Sequence, residues 1–445
     1  MARRPTLRAD APRRGSRAPR FHFLSIRLHS MRSRSIRARR PTAVFAVLGP
    51  GLVAANAGND AGGIATYASA GAQFAYRTLF LMVLVTVALV VVQEMSARLG
   101  AHTGEGLVTL IREQCSRRAA AFAVACLLVA NLGLVVSEFA GIGAAFELLG
   151  VSRFVAVPLA AIGLWALVVF GSYTWAERGF LLLSLAFLAY PVAALLGNPD
   201  WGAVAADSVL PHFAASHGFV FLAVALVGTT VTPYMQVYQA SAVADRGSGA
   251  ATVRHARIDA VTGALFANLI SMCIIVATAA TLGGTGPLRS AGDAARALTP
   301  VAGAGATVLF AVGLLGASAL AAAVVPLSTA YAVAEATGSP RSVSHRFTEA
   351  PLFLGLFTGL VFTGAAVALV PGNLIDRLLG MQVVNGLIAP VILGFVLVLA
   401  NRRALLGDAV NGRRFNVVAT VSVGVIAVLA MTFVVLGVAT RLGLA

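Results

Sequence analysis

Asn56-Ala-Gly-Asn-Asp-Ala-Gly-Gly63 breaks an apolar run over residues 43–71, and Gly228-Thr-Thr-Val-Thr-Pro233 breaks a second over 218–244. Glycine raises the cost of helix and proline removes a backbone donor, so each run is expected to be two half-helices that stop near mid-membrane. Nine further apolar runs, 78–97, 120–146, 154–172, 179–197, 259–282, 304–334, 351–370, 377–399 and 415–439, have about the length that crosses 30 Å of hydrocarbon as helix. The two interrupted runs lie five segments apart. That spacing predicts an all-α integral membrane protein of about eleven transmembrane helices, built from two five-helix repeats of inverted topology over 43–197 and 218–399. The core then spans 43–414, and residues 415–445 form a peripheral eleventh helix and C-terminus. Paired broken helices in corresponding positions are the sequence pointer to the binding site of a secondary transporter.

Composition leads to the same class. The chain has 445 residues, is 58% hydrophobic and only 11% charged, which excludes secreted, disordered and fibrous proteins. Strand-like alternation is absent, which argues against a β-barrel. All 33 basic residues are arginine, and 13 of them fall in residues 1–40. Residues 1–42 read as a disordered cytoplasmic tail near anionic lipid; initiation at Met31, a transit peptide or a nucleic-acid arm are the alternatives, and no nucleic-acid partner is expected. Beyond residue 40, 14 arginines fall in loops on the side of the amino end and six on the other. That asymmetry predicts a multi-pass plasma-membrane protein with its N-terminus cytoplasmic and its C-terminus outside. Cys115, Cys126 and Cys273 have neither pairing nor metal-ligand spacing.

A helix that stops inside the membrane leaves carbonyls unpaired with partial negative charge, a pocket suited to a cation. The nearest carbonyls are those of Ala57 and Thr229. Asp60 lies between the halves of the first run, where a charge costs about 2.5–3.5 kcal/mol on insertion scales and calls for a polar cavity or partner. Asp60 is also placed to cap the second half-helix, which does not exclude ligation, and Thr232-Pro233 has the pattern that opens a helix. Asn56 and Asn59 read as cavity-lining groups. Glu138, mid-segment among small residues, has functional and structural readings in balance. Glu94, Glu147, Glu177, Asp259, Glu335 and Asp376 fall near segment ends, as interfacial or gate ion pairs do. All seven histidines are expected in the tail or loops.

These residues resemble the Nramp family of divalent-metal transporters. GPGLVAANAGNDAGGIATYASAGAQFAYRTLF is similar to the family's first helix, whose break carries Asp-Pro-Gly-Asn, and GTTVTPYMQVYQASAV to its sixth, which carries Met-Pro-His-Asn. QEMSARLGAHTGEGL, SEFAGIGAAFELLG, AARALTP and NRRALLGD extend the likeness over about residues 45–440. The resemblance implies the LeuT-like fold with a metal between helices 1 and 6. It places the binding aspartate on Asp60 and the carbonyl ligands on Ala57 and Thr229. The departures are Ala61 for the proline, Gly63 for the asparagine ligand, Thr232 for the methionine, Tyr234 for the histidine and Gln239 for the next histidine. Glu138 matches the family's glutamate, but Val135 stands where an aspartate of the proton route is expected. Met235 remains a second source of sulfur, and Gln382 completes the candidates for the cavity or its gates.

Losing the thioether and the asparagine removes softness and volume together, which favours a partly hydrated hard cation. The resemblance is therefore greatest to the Nramp-related magnesium transporters. The expected function is secondary transport of divalent cations, hydrated Mg²⁺ first and Mn²⁺ also, by alternating access without proton coupling. No resident cofactor and no obligate protein partner are expected besides the ion and the bilayer. The alternatives are proton-coupled Mn²⁺/Fe²⁺ import with Glu138 as the proton group, and sodium-coupled symport of a small organic solute. An enzyme is not expected: neither HExxH nor GxSxG occurs.

Overall fold

The computed structural model describes residues 59–170, 183, 185–213, 216–245, 250–339 and 347–442. The tail over 1–42, the half of the first segment before its break with Asn56 and Ala57, and Glu177 lie outside the described residues.

The described chain is helical throughout. Asp60 opens α1 (Ala61–Phe74), which a short 3₁₀ turn joins to α2 (Leu79–Thr103). There follow α3 (Leu107–Gln114), α4 (Arg117–Leu148), α5 (Arg153–Phe170), α6 (Ala189–Leu196) and α7 (Trp201–Val209). The second interrupted segment is α8 (His217–Thr230) and α9 (Pro233–Asp245), separated by Val231 and Thr232. The remaining long helices are α10 (Ala250–Leu282), α11 (Ala306–Thr337), α12 (Pro351–Ala368), α13 (Leu374–Ala400) and α14 (Arg413–Arg441). Nine stretches among the described residues are long and apolar enough to cross a membrane. The second half of segment 1 is contained in one of them, and segment 5 contributes the shorter Leu185–Leu196, in keeping with the expected eleven.

Local chemistry sets the ends. Ser116 and Ser216 accept hydrogen bonds from the N–H groups of Ala119 and Phe219, 3.0 and 3.3 Å, and so open α4 and α8. Gly104 and Gly338, both left-handed, close α2 and α11.

The half-helices sit at the centre: α1 packs on α4, α8, α10 and α13, while α9 packs on α2. Around them α4 lies along α11, and α10 along α2. By contrast α14 touches α13, α8 and α2 along one edge and turns Val417, Val421 and Val428 outward, the last 66% exposed. An apolar exposed face of this kind fits lipid.

Two of the acids expected at segment ends make ion pairs, and a third accepts a hydrogen bond. Glu94, 4% exposed, holds Arg98 at 3.2 Å and Arg257 at 3.0 Å. Arg98 also donates to the Ala409 carbonyl and to Asn411, tying α2 to the connection before α14. Glu147 pairs with Arg153 at 3.6 Å, and Glu335 accepts from the Thr109 hydroxyl at 2.8 Å.

Candidate functional site

The site begins at the N-terminus of α1, where the first backbone N–H groups have no helical partner and the helix dipole favours negative charge. Asp60 sits there in extended backbone conformation, and the Gly63 N–H donates to its Oδ1 at 2.6 Å. The capping reading is therefore realised, and a carboxylate accepting one such bond keeps lone pairs for a cation. Gly63, in the place of the family's asparagine, contributes its backbone N–H.

Glu138 reaches the same helix end from α4. Its Oε2 accepts from the Ala61 N–H at 3.4 Å, and its Oε1 has no hydrogen-bond partner. The site thus brings two carboxylates together, Asp60 4% exposed and Glu138 fully buried, and neither makes an ion pair among the described residues. Two buried carboxylates without a counter-charge set up a strong local demand for positive charge.

Neutral polar groups surround them. A Cβ on Gly62 would overlap the Gln382 amide and come 2.7 Å from the Ser137 hydroxyl, so glycine is what lets α4 and α13 close over α1. Gln382 and Glu138 adjoin the Asp60 carboxylate. From α11, Ser318 faces the Gly141 and Ala61 side of the same junction. The hydroxyls of Ser137 and Ser318 and the Gln382 Nε2 are buried without hydrogen-bond partners. Asn59, 4% exposed, accepts from the Ser271 hydroxyl at 3.1 Å.

The second break behaves differently from the sequence expectation. Thr229 was expected to offer a free carbonyl, but it accepts the Thr232 hydroxyl at 2.8 Å, and the Gly228 carbonyl accepts the same hydroxyl at 3.2 Å. The reason is local: Thr232 follows the end of α8 by two residues, and its short side chain folds back onto the carbonyls three and four positions before it. Each carbonyl retains a second lone pair. A contact between the Tyr67 and Thr230 hydroxyls, 3.0 Å, ties α1 to α8.

The remaining candidates separate. Tyr234, Met235 and Gln239 are all buried on α9. Gln239 lies seven residues past Thr232, about 10 Å along a helix, on the stretch where Gln236 accepts from Ser96 of α2 at 3.1 Å. Both amide atoms of Gln239 lack partners. Ser318 and Asn385 were missed by sequence reading. Ser318 carried no signal among small residues, whereas Asn385 stands three residues from Gln382 on one helix face, a legible spacing.

Among the described residues no group of three or more His, Cys, Asp or Glu side chains could hold a metal. The site is two acids among neutral hydroxyl and amide groups. The family model described as Nramp, natural resistance-associated macrophage protein-like, matches residues 51–436. The chain belongs to the Nramp family. This Nramp protein is 29% identical over 401 residues to the divalent metal cation transporter MntH of Deinococcus radiodurans, covering 84% of this chain and 86% of the relative. With the protein of that name from Ralstonia nicotianae the identity is 31% over 407 residues, covering 85% and 88%. Among solved structures, a variant of the Eremococcus coleocola manganese transporter superposes with TM-score 0.72 at 18% identity, over 92% of this chain and 90% of that one. MhsT in complex with L-phenylalanine superposes with TM-score 0.55 at 14% identity, over 87% and 97%. Both likenesses concern the fold, which is LeuT-like.

Proposed function

We propose that this Nramp protein carries divalent cations across the membrane by alternating access, taking Mg²⁺ with part of its water and accepting Mn²⁺. The observation that carries the reading is the meeting of Asp60 and Glu138 at the N-terminus of α1, amid amide and hydroxyl groups. A doubly positive ion balances two carboxylates. Oxygen donors suit Mg²⁺, which keeps several waters because it dehydrates reluctantly. Asp60 is the charged ligand, with the carbonyls of Ala57 and Thr229 and the Thr232 hydroxyl around the ion. Asn56, Asn59, Gly63, Glu138, Tyr234, Met235, Gln239 and Gln382 line the cavity or its gates.

The driving force is the cation gradient and the membrane potential. A divalent ion moving inward gains roughly 4.6 kcal/mol per 100 mV, twice the single-charge value. With Val135 in place of the route's acid, no co-transported proton is invoked. The proposed orientation puts the amino end in the cytoplasm and the carboxyl end outside.

Proton-coupled Mn²⁺ transport is the second reading. It is favoured by the contact of Glu138 with the same helix end as Asp60, while the relatives, named divalent metal cation transporters, fit either reading. Proteoliposomes holding an internal pH dye separate the two. Mg²⁺ and Mn²⁺ uptake without internal acidification, each ion inhibiting the other, is the expected result. Acidification in step with Mn²⁺ entry, with Mg²⁺ neither carried nor competing, overturns the first reading in favour of the second.

A further inference from the structure

The Gln382 carboxamide meets the site with its nitrogen end. Its Nε2 lies against Gly62 beside Asp60, and its Oε1 accepts from the Asn385 Nδ2 at 3.3 Å. Gln382 and Asn385 stand three residues apart on α13, hence on one helix face, and both are fully buried. Their two remaining polar atoms, Gln382 Nε2 and Asn385 Oδ1, have no hydrogen-bond partner. One is a donor and the other an acceptor. Half-turns of both carboxamides would therefore exchange one internal hydrogen bond for its mirror, Gln382 Nε2 donating to Asn385 Oδ1, and would deliver the Gln382 oxygen to Asp60.

The two arrangements suit opposite partners. An NH₂ group matches a bare carboxylate, while Mg²⁺ and Mn²⁺ take oxygen. We propose that Asn385 is a positioning residue for cation binding: it holds Gln382 nitrogen-first toward the bare acid and receives the same amide when Gln382 turns its oxygen to the ion. This rests on the reading of Asp60 as the charged ligand. The pair is a two-state element whose equilibrium the ion biases through its differential contact with oxygen. The backbone around it is held close: a Cβ on Gly386 would come 2.8 Å from the Val224 side chain and one on Gly228 2.9 Å from the Gly386 Cα, so turning the amides is easier than moving the helix.

The test uses two near-isosteric changes read as half-saturation of Mg²⁺ uptake in proteoliposomes, with calorimetric Mg²⁺ binding to the full chain in detergent beside it. Asn385→Asp in its ionised form accepts only, so it holds Gln382 in the oxygen-first arrangement and should lower half-saturation about fivefold, the factor carried by about 1 kcal/mol. Asn385→Leu orphans the N–H groups of the turned amide against the single oxygen of the resting one, and should raise half-saturation by a smaller factor. In a Gln382→Leu background both effects should fall below about twofold, since the coupling runs through Gln382. Changes of the same sign for the two variants overturn the proposal. So does an effect of undiminished size in the Gln382→Leu background, the result expected if the added charge merely attracts the ion. Asp60→Asn is run alongside: native Mg²⁺ binding there refutes the ligand reading itself, whereas lost binding with additive Asn385 effects refutes only the positioning role.

Discussion

Gly228→Ala adds one methyl group where α8 crosses α13. The new Cβ would overlap the Gln382 carbonyl oxygen and stand 2.5 Å from the Gly386 nitrogen and 2.9 Å from its Cα. All three are backbone atoms, so no side-chain rotation relieves the contact. Restoring a separation of about 3.5 Å requires the helices to part by about 1 Å. Overpacking of this kind costs about 1–3 kcal/mol, and the gain in helix propensity returns about 0.5–1 kcal/mol, leaving a net loss of about 1 kcal/mol. The functional consequence is larger than the stability change. Thr229 follows Gly228 directly and Gln382 lies across the same crossing, so a shift of about 1 Å spoils the spacing that Mg²⁺ demands at about 2.0–2.1 Å. Half-saturation for Mg²⁺ uptake should rise at least about tenfold, the factor carried by 1.4 kcal/mol. Gly218→Ala, on the same helix with open space at its Cβ, is the control and should leave both stability and uptake at or above the native level. Native thermal stability and native half-saturation in Gly228→Ala would refute the argument from close crossing.

Three further outcomes follow from the geometry. Glu94→Gln should lower thermal stability in detergent by about 3 kcal/mol, because it strips Arg98, 10% exposed, of its counter-charge. Arg257→Ala, whose side chain is 58% exposed, should cost under about 1 kcal/mol, and equal losses for the two variants would contradict this ordering. Tyr67→Phe removes the 3.0 Å contact with Thr230 and should speed hydrogen exchange of α1 amides about fivefold, an effect of about 1 kcal/mol; unchanged exchange would mean that the contact carries no stability.

Much of this was legible in sequence because membrane helices announce themselves by length and apolar content. Pro233 and the threonines before it marked the second break, and the structure interrupts the helix at Val231 and Thr232. Asp60 was legible as an intramembrane charge beside three glycines. Its neighbourhood was not, since that depends on how distant helices cross. Glu138 stands 77 residues from Ala61 in sequence yet meets its N–H, and Gln382 arrives from α13 only because Gly62 has no side chain. The Thr232 hydroxyl illustrates the limit at short range. Capping the next helix and folding back onto the previous one are both available to a threonine between two half-helices, and the geometry of the carbonyls decides.

The most direct test of the central claim is Mg²⁺ uptake by Asp60→Asn in proteoliposomes under an inward-negative potential. Asparagine caps a helix about as well as aspartate, so the fold and the Gly63 bond are retained while the charge is removed. The account predicts native thermal stability with Mg²⁺ and Mn²⁺ uptake at the level of protein-free vesicles. Uptake at the native rate and half-saturation would contradict it.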